Sequence, residues 1–295
     1  MHADEFVTDA ALVRRLLAAQ FPAWASLRIE RVESSGTDNA IYRLGNHMAV
    51  RLPRIPSAVA QVDKEFRWLA RLAPLLPLPI PVPLAKGSPG EGCPWDWSVC
   101  RWLDGENATL ERLGDPRQAA EDLAKFVVAL RGIDTADGPV AGEHNFRRGV
   151  PLVERDVPTR VAIHALWGVI DTAAATAAWE AALSAPVWDR PPTWIHGDLH
   201  SGNLLALDGR LSAVIDFGGL GVGDPACDLM VAWNLFPADA RESFRATVAV
   251  DDATWARGRG WALSFGLIAL PYYLRRNPDL AAIARYAIEQ ACSER

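Results

Sequence analysis

Lysine is scarce in this 295-residue chain: of thirty basic residues only Lys64, Lys86 and Lys125 are lysines, and the rest are arginine. Positive charge is also in deficit, with a formal net charge of −6. No basic patch or stripe stands out, which argues against a nucleic-acid binder. Cysteine is sparse. Cys93, Cys100, Cys227 and Cys292 are scattered with no C-x-x-C pair, so zinc-ribbon and dithiol redox signatures are absent and ordinary reduced thiols are expected. Long apolar runs are missing too. The longest uncharged stretch, Gly260 to Leu274, has 15 residues and contains Pro271, short of the ~20 a spanning helix needs. The opening MHADEF is acidic and has no basic flank before an apolar run, so it does not read as a signal peptide. A cytoplasmic protein outside the membrane is expected, and nothing points to an obligate protein partner.

What the chain does have is a globular composition, 50% hydrophobic and 22% charged, with length for one large domain or two ordinary ones. The apolar pattern changes period near residue 103. Before it, a helix is expected over Asp9 to Ala19 with Leu12, Leu16 and Leu17 on one face. Short strands fit Leu27–Glu33, Ala40–Leu44 and Met48–Leu52, separated by the turn compositions SSGTDN and GN. Val62 to Leu72 reads as a helix presenting Phe66, Leu69 and Leu72. Prolines 74, 77, 79, 81 and 83 forbid a helix and a central strand, leaving a stiff connector or an edge strand. Ser98–Leu103 reads as a strand. Asp115 then caps a helix with Pro116 at its first position and Ala120, Leu123, Val127 and Leu130 as its stripe. Further helices fit Leu152–Ala185, Ala238–Val248, Trp255–Leu274 and Asp279–Ala291. Short strands at Thr193–Ile195, Leu204–Leu207 and Ser212–Phe217 interrupt them.

Those three strands carry the chemistry. In WIHGDLHSGNLLALDGRLSAVIDFGGLGVGDPACDL, Asp198 is followed five residues on by Asn203 and eighteen on by Asp216. Phosphoryl transfer needs one carboxylate facing the acceptor hydroxyl and a few oxygen ligands for Mg²⁺, whose remaining positions go to water and phosphate. The spacing H-x-D-x-x-x-x-N followed by D-F-G is that of kinase catalytic and metal loops. A rival reading takes His196 and His200, with Asp198 between them, as ligands of a metal-dependent hydrolase. Gly197 and Ser201-Gly202 argue against the helix that such i, i+4 chelation requires, and no H-E-x-x-H glutamate is present.

The segment resembles the aminoglycoside phosphotransferase family, the small-molecule branch of the protein-kinase-like fold that includes choline kinases. Three motifs carry the resemblance in order: His196-Gly197-Asp198 with Asn203, then Ile215-Asp216-Phe217-Gly218, then Gly223-Asp224-Pro225 with Asp228-Leu229. It implies an α+β bilobal fold, with a small β-rich N-terminal nucleotide-binding lobe and hinge over 1–103. A larger, mainly helical catalytic and substrate-binding lobe would cover 104–295. By the same resemblance Asp198 would position or deprotonate the acceptor hydroxyl, and Asn203 and Asp216 would hold Mg²⁺. His196, Asp224 and Asp228 would brace the loops. ATP or GTP would be the donor, with the site between the lobes.

The first hundred residues offer matching parts. SSGTDNAIYRL suits a turn over phosphates, giving Gly36, Thr37 and Asn39 as candidate nucleotide contacts. Arg51 ends MAVRLP where protein kinases place lysine, and Glu65, fourteen residues on, is its natural ion-pair partner. Arginine there is not a conservative exchange, since its planar fork binds differently from an ammonium. It could anchor phosphates comparably, shift nucleotide preference, or mark a nucleotide-binding pseudokinase. SVCRWLDG would be the hinge, with backbone groups at Arg101 and Leu103 reading the purine.

Three regions are candidates for the acceptor, a small-molecule hydroxyl compound of antibiotic type such as an aminoglycoside, macrolide or nucleoside. Arg147 and Arg148 lie in GEHNFRRGVPL and read as a solvated loop or an anion contact. Trp233, Trp255 and Trp261 could wall a ligand or simply build core. Asp239, Glu242, Asp251 and Asp252 could attract a polyamine or be helix-end charges, but the segment from His196 onward is only slightly acidic.

Overall fold

The computed structural model describes residues 6–32 and 38–293. Gly36 and Thr37 lie outside the described residues. The chain divides into two compact units, Met1–Pro74 with Pro79–Asp104, and Leu75–Leu78 with Gly105–Arg295.

The first unit is built on an antiparallel five-stranded sheet. Helix α1 (Ala10–Gln20) starts at Asp9, whose carboxylate accepts the Leu12 N–H at 2.7 Å. Strands β1 (Ile29–Val32), β2 (Asn39–Leu44) and β3 (Met48–Pro53) form a meander, followed by helix α2 (Val59–Leu72), β4 (Pro83–Gly87) and β5 (Trp97–Arg101). The sheet order is β1-β2-β3-β5-β4, so the proline-bearing β4 takes an edge, where a missing N–H leaves no ladder bond unmade. Leu12, Val13, Leu16 and Leu17 of α1 pack with Tyr42, Leu44, Val50, Leu52, Trp97 and Val99 as one buried cluster.

Helix α2 differs from expectation. Its buried face is Val62, Glu65, Trp68, Leu69 and Leu72, while Phe66 is 43% exposed. Leu69 and Leu72 lie on the buried face as expected, but Glu65 rather than Phe66 completes it and meets Arg51 on β3.

The second unit begins with β6 (Glu106–Asn107) and α3 (Pro116–Arg131), whose Asp115 cap accepts from Arg117 and Gln118. The single helix expected over 152–185 is two: α4 (Asp156–Ala165) and α5 (Thr172–Leu183), preceded by a 3-10 turn over Leu152–Arg155. The break falls at Gly168, at φ +77°, and Asp171 caps the second helix through the Ala174 N–H. Strands β7 (Thr193–Ile195), β8 (Leu204–Leu207), β9 (Arg210–Val214) and β10 (Gly221–Gly223) follow. They form two small sheets, β10-β7 and β6-β8-β9. Helices α6 (Val231–Asn234), α7 (Ala238–Val248), α8 (Asp252–Tyr273) and α9 (Pro278–Ser293) complete the unit. Trp233, Trp255 and Trp261 are buried among these helices, and the Trp233 and Trp255 rings lie 4.6 Å apart; they are core. No described helix is long and apolar enough to cross a membrane.

Candidate active site

The catalytic-loop candidates sit where β7 ends. Pairing of β7 with β10 fixes Ile195 opposite Gly221, and the chain then turns through His196-Gly197-Asp198. Gly197 has φ +83°, and a Cβ there would lie 2.3 Å from the Gly219 carbonyl oxygen, so only glycine lets this loop touch the one that follows Asp216. Asp228 closes the loop from behind: its two carboxylate oxygens accept the His196 and Gly197 N–H groups, each at 2.7 Å. Burial pushes the Asp228 carboxyl up to about 7, against the two amide donors that favour its charged form.

His196 is fully buried and ties two loops together. One ring nitrogen bonds the Ile215 carbonyl at 3.0 Å and the other accepts the Asp198 N–H at 3.2 Å, which assigns the neutral tautomer with its proton on Nε2. Its ring meets Phe217 edge-on at 4.6 Å. Burial pushes the imidazole down to about 4, so it is neutral near pH 7.

The Asp198 side chain is 30% exposed and held from three sides. Arg148 donates to Oδ1 at 3.1 Å, Asn203 Nδ2 donates to Oδ2 at 3.1 Å, and His200 Nε2 lies 3.5 Å from Oδ2. Burial alone would raise this carboxyl, but the Arg148 charge and His200 outweigh it and hold the group well below the usual carboxylate range.

Asn203 closes a short 3-10 turn, Ser201–Asn203, and its Nδ2 also bonds the Asp198 carbonyl at 2.9 Å. With Nδ2 committed, Oδ1 is the face of this amide left for a cation. The Asn203 carbonyl accepts the Ile215 N–H at 2.9 Å, which places Asn203 beside the residue preceding Asp216. The strand expected to run to Phe217 stops at Val214. Asp216 turns left-handed (φ +61°, ψ +79°), and its Oδ1 accepts from Gly218 at 3.3 Å to start the 3-10 turn Phe217–Gly219. An amide oxygen and a carboxylate on two loops joined by the Asn203–Ile215 bond are donor types that suit Mg²⁺, which takes few protein ligands. The hydrolase alternative fits less well. The ring nitrogens of His196 face Ile215 and the Asp198 amide, and those of His200 face the Gly202 N–H and the Asn203–Asp198 pair. Among the described residues no group of three His, Cys, Asp or Glu side chains converges as metal ligands.

Asp224 caps the turn Pro225–Met230 through Ala226 and forms a buried two-point ion pair with Arg257, at 2.8 and 3.2 Å. In the first unit, Arg51 on β3 and Glu65 on α2 make an ion pair whose side chains are 12% and 8% exposed. Asn39 opens β2 opposite Pro53. The Arg101 N–H is spent on the Val82 carbonyl, whereas Leu103 follows the sheet with its backbone groups unpaired among the described residues.

In the 142–152 loop the sequence reading named Arg147 and Arg148 as a solvated loop or an anion contact and missed Asn145. Asn145 is fully buried; its Oδ1 accepts the Gly142 N–H while Nδ2 donates to the Arg148 and Gly219 carbonyls. Arg148 reaches Asp198 rather than solvent. The adjacent Arg147, by contrast, pairs with Glu143 and Glu154. The remaining acidic candidates behave as helix-end charges: Asp251 caps α8, Asp252 pairs with Arg245, and Asp239 pairs with Arg117.

Comparison with known proteins bears on this arrangement. Residues 28–261 match the model of the phosphotransferase enzyme family, and the chain belongs to that family. It is a kinase-type O-phosphotransferase with the protein-kinase-like fold of the aminoglycoside phosphotransferases. No curated protein sequence gives a significant match. Similar solved structures include the GDP complex of wild-type aminoglycoside 2'-phosphotransferase-IIIa, with TM-score 0.74 and 19% identity over 97% of this chain and 99% of that one. A macrolide 2'-phosphotransferase type I gives 0.65 and 18% over 96% and 98%. The streptomycin–ATP–APH(2")-IIa ternary complex gives 0.60 and 17% over 98% of each chain. At these identities the likeness is one of fold.

Proposed function

We propose that the protein transfers the γ-phosphoryl group of ATP or GTP to a hydroxyl of a small molecule of antibiotic type, with Asp198 as the residue that receives the hydroxyl. The observation that carries this reading is the clamping of the Asp198 carboxylate by Arg148, Asn203 and His200, with the Asn203 carbonyl bonded to the residue that precedes Asp216. Asp198 orients the acceptor oxygen in line with the γ-phosphorus. The new O–P bond forms as the bond to the β–γ bridging oxygen breaks, and that electron pair leaves with the nucleoside diphosphate. The hydroxyl proton passes to the Asp198 carboxylate late in the transfer, when a weak base suffices because the transition state is loose. Asn203 Oδ1 and the Asp216 carboxylate would hold Mg²⁺, which when bound offsets phosphate charge. Arg51, held by Glu65, is the cation the first unit offers to the phosphates. His196, Asp224 and Asp228 keep the loops in register, and the backbone of Leu103, unpaired among the described residues, would read the base.

Support for an antibiotic acceptor comes from the fold's neighbours, whose structures include a streptomycin–ATP complex and a macrolide phosphotransferase. Around Asp198 the close groups are Arg148, His200 and, against both of them, the Phe265 ring. The test is a mass-spectrometric screen of aminoglycosides, macrolides and nucleoside antibiotics with Mg²⁺ and ATP or GTP. At least one compound is expected to gain the mass of a single phosphoryl group. No gain with either nucleotide across such a panel and primary-metabolite alcohols would overturn the reading.

A further inference from the structure

Arg148 sits in a segment whose backbone is distorted around it. Phe146 and Arg147, neither of them glycine, both adopt left-handed conformations (φ +58° and +57°), a geometry that costs of order 1–3 kcal/mol per residue and persists only where surroundings enforce it. The enforcing contacts are buried. Asn145 bonds the Gly142 N–H on one side and the Arg148 and Gly219 carbonyls on the other. The Arg148 N–H closes onto the Asn145 carbonyl, and the Gly149 carbonyl accepts the Asp224 N–H at 2.8 Å. The segment is thereby bound both to the turn after Asp216 and to the Asp224 cap.

This scaffolding delivers one side chain to one place. The Arg148 guanidinium, 14% exposed, lies over the Phe265 ring at 5.6 Å and donates through one terminal nitrogen to Asp198 Oδ1. The other terminal nitrogen is buried with no hydrogen-bond partner among the described residues. A fork optimised for stability would engage a carboxylate through two donors and leave none buried and unpaired, since such a group costs roughly 1–3 kcal/mol or more. The fork at Arg257, two-pronged on Asp224 in the same unit, shows that form. The single-pronged contact at Arg148 leaves Asp198 Oδ1 open in one further direction among the described residues, whereas Oδ2 faces both Asn203 and His200.

We propose that Arg148 is a positioning residue for phosphoryl transfer, fixing the Asp198 carboxylate in the orientation that receives the acceptor hydroxyl. The proposal rests on the phosphotransferase reading above. Asn203 and His200 secure Oδ2, Arg148 secures Oδ1, and removal of Arg148 frees the carboxylate to rotate away from the line of attack. Misplacement of an orienting group by about an ångström costs roughly 100-fold in rate.

The experiment compares wild type with Arg148→Ala, Arg148→Lys and Arg147→Ala in full-length protein with Mg²⁺ and ATP or GTP. It uses the best acceptor from the panel and, separately, measures phosphate release to water. Arg148→Ala is expected to lose about 100-fold in kcat with nucleotide KM changed less than about 3-fold, and guanidinium chloride at tens of millimolar to restore at least about a tenth of the loss. Arg148→Lys should fall between the two, and Arg147→Ala, whose partners are Glu143 and Glu154, should keep wild-type kcat. Thermal unfolding of each variant separates loss of fold from loss of positioning. Wild-type kcat in Arg148→Ala would overturn the proposal. So would a loss in Arg148→Ala that guanidinium does not rescue and that the lysine variant does not lessen. A wild type that neither transfers nor hydrolyses would instead overturn the phosphotransferase reading on which it rests.

Discussion

The decisive residues are those whose bonding leaves something unspent. Asn203 uses its amide nitrogen on Asp198 and keeps an oxygen; Asp198 has Oδ2 held by Asn203 and His200, while Oδ1 meets Arg148 alone among the described residues. His196 is the opposite, with both ring nitrogens committed and the ring buried, so it acts as a fixed joint. That joint has a pH signature. Its folded pKa, pushed down by burial to about 4, lies below the ordinary imidazole value of 6.5, so the fold requires the neutral ring. The associated stability is complete above pH 6.5 and is lost as pH falls toward 4, by up to about 3 kcal/mol. Chemical denaturation should show the stability gap between wild type and His196→Gln narrowing over this interval. A gap constant from pH 7 to pH 4 would contradict the assignment. At this scale the sequence was uneven. Asp198, Asn203 and Asp216 are legible from spacing because their motif is contiguous. The roles of Arg148 and Asn145 are not, because their partners lie 50 and 74 residues away; the loop's two arginines could be read as solvated or as an anion contact, and Asn145 gave no signal.

Elements were legible where capping chemistry and apolar period agreed, as in α3 with Asp115-Pro116. They were misread where an inward charge or a turn residue overrode the period. Helix α2 buries Glu65 rather than Phe66, and Glu65 meets Arg51 there. Phe66→Ser should therefore change stability by about 0.5 kcal/mol or less, whereas Leu69→Ala should cost about 2–5 kcal/mol. Equal costs in urea denaturation would contradict this buried face. Glu65→Ala removes one partner of a buried ion pair and should destabilise by about 3–5 kcal/mol, and under the proposed function it should also raise the nucleotide KM. A variant with wild-type stability and KM would remove Arg51 from the nucleotide site. In the 152–185 region, uninterrupted alanine-rich periodicity hid a break that Gly168 and Asp171 together mark.

For the whole molecule, the change of period near residue 103 and the three ordered motifs gave the kinase-like class before any coordinates, and the family match over residues 28–261 agrees with that class. The twelve tryptophans gave no such guidance. Trp233, Trp255 and Trp261 are core, since helical spacing and size cannot distinguish a ligand wall from packing. The scarcity of lysine now has a structural counterpart. Arginine serves in the buried pair at Arg51, in the two-pronged pair at Arg257 and against Asp198 at Arg148. Most direct for the central claim is a comparison of wild type with Asp198→Asn, which keeps shape and removes charge. Phosphoryl gain on the acceptor would be followed by mass and nucleotide affinity by equilibrium titration. The account predicts turnover reduced by about 1,000-fold or more with nucleotide affinity within a few-fold of wild type. Transfer by Asp198→Asn at the wild-type rate would contradict it.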